Sequence, residues 1–173
     1  MRALESLLCE KALSSIDVKQ LCERANVARS TFYAYYRNTD ELMEQLEDNH
    51  VSHLASMNEW VASHEGDAAS ISREYGPTLD YLEKNSAFFY AELITHHNGR
   101  LSEKWKDAIK RHLSTHLKRR ALSSRSCDIA DEVASSVVVS ACVYWLKNPA
   151  SVSREDIYRI IGRSLKLLPE FVS

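Results

Sequence analysis

The sequence predicts an all-α protein, and three observations carry that reading. Four glycines and three prolines in 173 residues are too few for the turns of a sheet protein. Apolar residues recur at helical three- and four-residue spacing along most of the chain. Between residues 16 and 42, two short helices meet at a sharp turn and run into a third. The expected architecture is a three-helix helix-turn-helix unit over residues 1–45, followed by a helical bundle over residues 46–173, about nine helices in all. A hydrophobic share of 45% with 27% charged residues and a net charge of −2 is read as excluding a disordered or membrane-spanning protein.

Within the first unit, Asp17 is placed to cap a helix whose apolar positions are Val18, Leu21, Cys22 and Ala25. Asn26 offers the left-handed stop that a β-branched residue resists. The turn is Asn26-Val27-Ala28, and the next helix is expected over Arg29 to Tyr36. It must bury Phe32 while Arg29, Ser30, Thr31, Tyr33 and Tyr35 lie at its start and outer side. So polar a helix is poorly explained by packing alone. A major groove admits one helix, whose N-terminal residues reach base edges and phosphates first. Tyrosine hydroxyls suit phosphate oxygens, because a rigid ring carries the donor with little rotamer entropy to lose. The expected DNA-binding residues are Lys19, Arg29, Ser30, Thr31, Tyr33, Tyr35 and Thr39.

Through Val18, Leu21, Ala25, Asn26, Val27, Thr31, Phe32, Tyr33, Tyr36 and Leu42 the segment closely resembles the helix-turn-helix of TetR-family transcriptional regulators. The resemblance covers the first quarter of the chain and is looser beyond. It implies a homodimer in a bacterial cytoplasm that reads a pseudo-palindromic operator, most often as a repressor released by a small-molecule effector. Two departures stand out. The family's basic arm ahead of the first helix is expected to be missing, since Arg2 is the only basic residue there, and Thr39-Asp40-Glu41 stands where a basic residue is common. Residues 1–38 carry six basic residues against four acidic ones, a net of +2, which is thin for displacing counterions from DNA. The rival reading is therefore a helix-turn-helix relic acting as a co-activator or protein-interaction module with weak or no DNA binding.

Beyond this unit, helix four is expected over about Thr39 to Ser63, with Leu42, Leu46, His53, Leu54 and Met57 inward and Glu44, Glu47 and Asp48 off that side. Gly76-Pro77 kinks or starts helix five; helix six spans roughly Ser86 to His97, helix seven Leu101 to Leu122, helix eight Asp128 to Lys147 and helix nine Arg154 to Leu168. Breaks are expected at Asn98-Gly99, Ser123-Ser124-Arg125 and Asn148-Pro149. Helix eight is apolar on more than one side and so needs two partners. A symmetry mate is the expected second, as the resemblance also implies, through Val133, Val137, Val138, Ala141, Ile157, Ile161 and Leu165, against the plainer reading that helix eight is the central core helix of a monomer.

An effector cavity is expected where Trp60, Tyr75, Phe89, Tyr90, Leu93, His97, Trp105 and Tyr144 converge, against the plainer reading that aromatic residues at helical spacing form the core. His96, His97, His112 and His116 invite a metal reading, but no carboxylate or cysteine at a matching offset supports one, and neither metal nor cofactor is expected. No Gly-rich phosphate loop, nucleophile elbow or acid pair marks an enzyme. The four cysteines lack CxxC spacing and read as free thiols. Between Arg100 and Arg125 nine basic residues face two acids, a run that suits either an anionic partner or a solvated helix face.

Overall fold

The computed structural model describes residues 1–58, 68–117 and 124–172, with side chains detailed for 1–57, 76–113 and 127–164. Among the described residues there are nine α-helices and no strand: α1 Arg2–Leu8, α2 Val18–Ala25, α3 Arg29–Tyr35, α4 Thr39–Asn58, α5 Ala68–Lys84, α6 Ser86–Tyr90, α7 Gly99–Leu117, α8 Ser124–Lys147 and α9 Arg154–Val172. A 3₁₀ turn, Leu13–Ser15, joins α1 to α2, and a π-helical turn, Ala91–Thr95, follows α6.

A small apolar knot holds the first three helices: Leu4, Leu7, Leu8, Leu21, Cys22 and Phe32 are buried together with Leu42 and Met43 at the start of α4. Burying one leucine fully contributes about 1.5–3 kcal/mol, so these few side chains suffice to set the angles between short helices. Helix α4 continues from this knot into the bundle, burying Leu46, Val51 and Leu54. It packs on α5 and α7, while α8 packs between α7 and α9. The bundle core runs through Leu79, Leu82, Phe88, Phe89, Leu101, Trp105, Val138, Cys142, Trp145 and Ile161.

The structure corrects several sequence-based expectations. Helix six is two pieces, because the chain widens to i→i+5 bonding, with the His96 amide donating to the Ala91 carbonyl at 2.8 Å. Of the two placements expected for Gly76-Pro77 the structure has the internal one, with Pro77 inside α5, and α8 takes in Ser124 and Arg125 from the expected break. Phe89 and Trp105, expected to wall an effector cavity, are 0% and 1% exposed core residues with ring centroids 6.3 Å apart. Tyr90 is exposed. Trp60 lies outside the described residues, and the side chains of Tyr75 and Leu165 are not among those detailed.

Over Cys127–Lys147, α8 is long and apolar enough to cross a membrane, which the overall composition had not suggested. Half of that span is nevertheless buried against the bundle. All four cysteines are free; Cys22, Cys127 and Cys142 are buried, Cys9 is exposed, and burial pushes the Cys142 thiol up to about 12.

Candidate DNA-binding interface

The α2–turn–α3 unit is built from local chemistry. Asp17 caps α2 through a closed capping box: its Oδ1 accepts from the Gln20 amide at 2.8 Å, and Gln20 Oε1 accepts from the Asp17 amide at 3.5 Å. Asn26 ends the helix in the left-handed region, at φ 54° and ψ 47°, and the Val27 amide donates back to the Cys22 carbonyl at 3.0 Å. That reversal launches α3 away from α2.

Of the seven residues of α3, Phe32 alone is buried. It meets Tyr33 edge-on at a ring-centroid distance of 5.4 Å and Tyr36 at 5.7 Å, which pins the aromatic register. Arg29, Ser30, Thr31, Tyr33 and Tyr35 are all exposed, Tyr35 by 76%. Helix α3 thus presents a nearly continuous polar and hydroxyl-bearing surface, anchored by one ring. Lys19 is exposed on α2 beside the same turn, where a groove of about 540 Å³ runs between Lys19, Asn26 and Arg29. Thr39 opens α4 and is half-buried.

The charges around this surface are largely engaged. Arg24 makes a paired contact with Glu10 at 2.8 and 3.1 Å, and Arg37 one with Glu41 at 3.2 and 3.3 Å. These pairs hold both carboxylates below their usual range. For Glu41 the largest cause is the Arg37 backbone amide, 2.6 Å from its Oε2. Lys19 lies 3.9 Å from Glu23. The basic run from Arg100 is engaged too: Arg100 and Lys104 contact Glu47 at 2.7 and 3.3 Å, Lys104 contacts Asp48 at 2.6 Å, and Lys110 sits between Asp107 and Glu132. Its described half is an ion-pair lattice holding α7 to α4 and α8, not a free cationic face. Residues 118–120 and their cations lie outside the described residues.

Two polar clusters, unforeseen in the sequence, tie α4 to its neighbours. His50, 4% exposed, has Nε2 3.1 Å from Glu5 Oε1 of α1 and Nδ1 2.8 Å from the Tyr81 hydroxyl of α5, and it stacks on Phe88 at 4.2 Å. His53, expected inward, is exposed. Glu47, expected off the packed side, is fully buried, as is all but 3% of Glu92. Asn98 Nδ2 donates to Glu47 Oε1 and to Glu92 Oε2, both at 2.9 Å. Glu92 Oε1 lies 2.9 Å from His96 Nδ1, four residues on. The sequence does hold an acid pair, then, but amides and cations consume it. Among the described residues no group of three or more His, Cys, Asp or Glu side chains is arranged to hold a metal.

At the far end, α8 and α9 leave an apolar face uncovered within the chain. Ile129, Val133, Tyr144 and Ile160 are 57%, 43%, 59% and 54% exposed. A shallow groove of about 520 Å³ runs there between Val137, Ser140, Tyr144, Val152 and Ile160. Of the interface residues read from the sequence, Val133, Val137 and Ala141 lie on or beside this face. Val138 and Ile161 are corrected: they are 3% and 0% exposed in the chain's own core, and Ile157 at 3% reaches only the floor of the groove. Ile160 takes the outward position.

Residues 1–46 match the family model of bacterial regulatory proteins, tetR family. No curated protein matches the chain. Solved structures similar over nearly the whole fold include a TetR-family transcriptional regulator from Haemophilus influenzae (TM-score 0.65, 18% identity, 95% of this chain and 91% of that one). Another is a dihydroxyacetone kinase operon activator, DhaS (TM-score 0.61, 17% identity, 99% and 92%). A third is the TetR-family repressor AlkX from Dietzia sp. strain DQ12-45-1b (TM-score 0.59, 17% identity, 99% and 95%). At such identities the likeness is one of fold.

Proposed function

We propose, for a chain whose first 46 residues match the family model of bacterial regulatory proteins, tetR family, that it is a homodimeric transcriptional regulator reading a pseudo-palindromic operator and released from it by a small-molecule effector. The observation that carries this reading is the composition of α3. Six of its seven side chains are exposed, and they are of the types that contact phosphates and base edges. A helix held by one buried ring and otherwise turned outward is built to be seen by a partner. Arg29, Ser30 and Thr31 lead into the groove in this proposal, with Tyr33, Tyr35, Lys19 and Thr39 on the backbone.

Dimerisation follows from the uncovered face of α8 and α9. Contiguous exposed apolar surface marks an interaction site, and a self-complementary patch closes on a second copy by two-fold symmetry. Two copies of α3 then address two half-sites. Both signs of regulation occur by name among the structural relatives; repression is the outcome that the family resemblance implies, and it is the one proposed here.

The rival, an interaction module with little DNA affinity, is favoured by one observation: Arg24 and Arg37 are spent on Glu10 and Glu41. Selection of duplexes from a random pool separates the two. The regulator enriches a repeated, two-fold-related motif, and Thr31→Ala alters that motif. An interaction module enriches none.

A further inference from the structure

We propose that the groove between the π-helical turn, the start of α7 and α8 is a binding site for a small amphipathic carboxylate, and that Asn98 relays its occupancy to α4. The relay, though not the site, rests on the reading of the chain as a DNA-binding regulator.

The groove encloses about 400 Å³, within the range of small-molecule sites. Leu93, Val139 and Val143 supply apolar walls, Tyr144 is shared with the uncovered face of α8 and α9, and Lys106 and Lys147 are the cations among its lining residues. No Asp or Glu lines it. That asymmetry sets the sign of the ligand: an apolar body with one anionic end satisfies both wall types, whereas a cation faces two ammonium groups. Lys106 is shared with Glu103 at 2.8 Å. Lys147, at the end of α8, has no ion-pair partner among the described residues and is the freer of the two. The first turn of α7 opens on the same space through Gly99 and Ser102, adding the positive end of a 19-residue helix.

Asn98 is both a wall of this groove and, beside Arg100 and Lys104, one of the residues that bind α4. Its Oδ1 accepts from the Leu101 amide at 3.2 Å, capping α7, while Nδ2 bridges Glu92 and Glu47. Glu47 belongs to the helix that begins four residues after α3 ends. A ligand that shifts the Asn98 carboxamide therefore changes the hold on α4, and through α4 the placement of α3. The acids behind the wall do not repel the ligand strongly, because Arg100 and Lys104 offset Glu47, and His96 and Asn98 engage Glu92.

The test uses 4-phenylbutyrate, with 4-phenylbutanol and 4-phenylbutylamine as neutral and cationic counterparts, titrated calorimetrically into the full-length, DNA-free protein. One carboxylate per chain should bind, at least tenfold tighter than the alcohol, and the amine should not bind. Lys106→Gln with Lys147→Gln should weaken the carboxylate at least tenfold without moving the melting temperature. Equal binding of acid and alcohol, or an unchanged affinity in the double variant, overturns the site. The relay is read on a selected duplex: the carboxylate lowers duplex affinity in the parent but not in Asn98→Ser, which keeps an oxygen for the α7 cap and loses the bridge. A full response in Asn98→Ser overturns the relay. Carboxylate binding as described, with no duplex bound by any variant, upholds the site and overturns the regulator reading.

Discussion

His50 Nε2 sits 3.1 Å from Glu5 Oε1, joining helices whose positions in the sequence are 45 residues apart. This contact, with Tyr81 on the other ring nitrogen, fastens the first helix of the helix-turn-helix unit to the bundle through one buried imidazole. Burial holds the His50 pKa below its ordinary 6.5, and the nearby Glu5 carboxylate only partly opposes that. The neutral ring is the folded form. Groups facing it are Glu5 from α1, Tyr81 from α5, Phe88 and Phe89 from α6, and His53 on its own helix.

A histidine whose folded pKa is lowered binds its proton more readily when unfolded. Its contribution to stability is present above the unfolded value near 6.5 and is lost as pH falls below it. The melting temperature should therefore decline between pH 7 and pH 5. In His50→Gln that decline should flatten, even though the variant is less stable at pH 7. Thermal melts at half-unit pH steps check it, and identical pH profiles would contradict it.

Tyr33→Phe removes a hydroxyl and keeps the ring that packs on Phe32. Affinity should fall for specific and random duplexes alike, because a phosphate contact carries no sequence information. Thr31→Ala or Ser30→Ala should instead change preference between sequences, by about 1–3 kcal/mol where a good base contact is lost. Gel-shift titrations on selected and random duplexes separate the two effects. A Tyr33→Phe protein that binds like the parent would mean that α3 docks differently.

Freeing a cation should be as informative as removing one. Glu41→Gln releases Arg37 while leaving its own amide capped by Asn38 Oδ1 at 2.9 Å. If the freed guanidinium reaches a phosphate, log affinity against log salt should steepen by about 0.9 per new contact, in each subunit. Binding should tighten at low salt. A parallel shift without a change of slope would place Arg37 away from the backbone.

Ile160→Glu places a carboxylate on the uncovered face at a position 54% exposed within one chain, so the monomer should still fold. Across a two-fold axis it brings two unpaired charges into an apolar seam, a penalty of several kcal/mol. Sedimentation should report a folded monomer with DNA affinity much reduced. Val137→Glu, half-buried beside Tyr144, should also lose the dimer and cost more of the fold. A dimer of parental affinity in Ile160→Glu would move the interface elsewhere.

The helix-turn-helix was legible because its determinants are local. Asp17 and Gln20 cap each other three residues apart, Asn26 stops its own helix, and Phe32 is the one large apolar residue of α3 that the knot can take. What the sequence concealed depends on distant partners. Glu47 is buried because Asn98, Arg100 and Lys104, more than 50 residues away, reach it, and nothing in the periodicity of α4 announces that. His50 and His53 are both plausible on a helical stripe, and only Glu5 and Tyr81 decide between them. On α9, Ile157, Ile160 and Ile161 all belong to one apolar run, so sequence alone could not say which side faces out. The widening at Ala91–Thr95 is a backbone event without a side-chain signature.

In the proposed function, two copies of α3 read two half-sites at a fixed separation. Its most direct test is the affinity of the dimer for a selected operator and for the same operator with five base pairs inserted between the half-sites. Half a helical turn puts the second site on the opposite side of the duplex. Affinity is expected to fall to that of random DNA, with Thr31→Ala weakening the intact operator only. Unchanged affinity after the insertion would contradict the account.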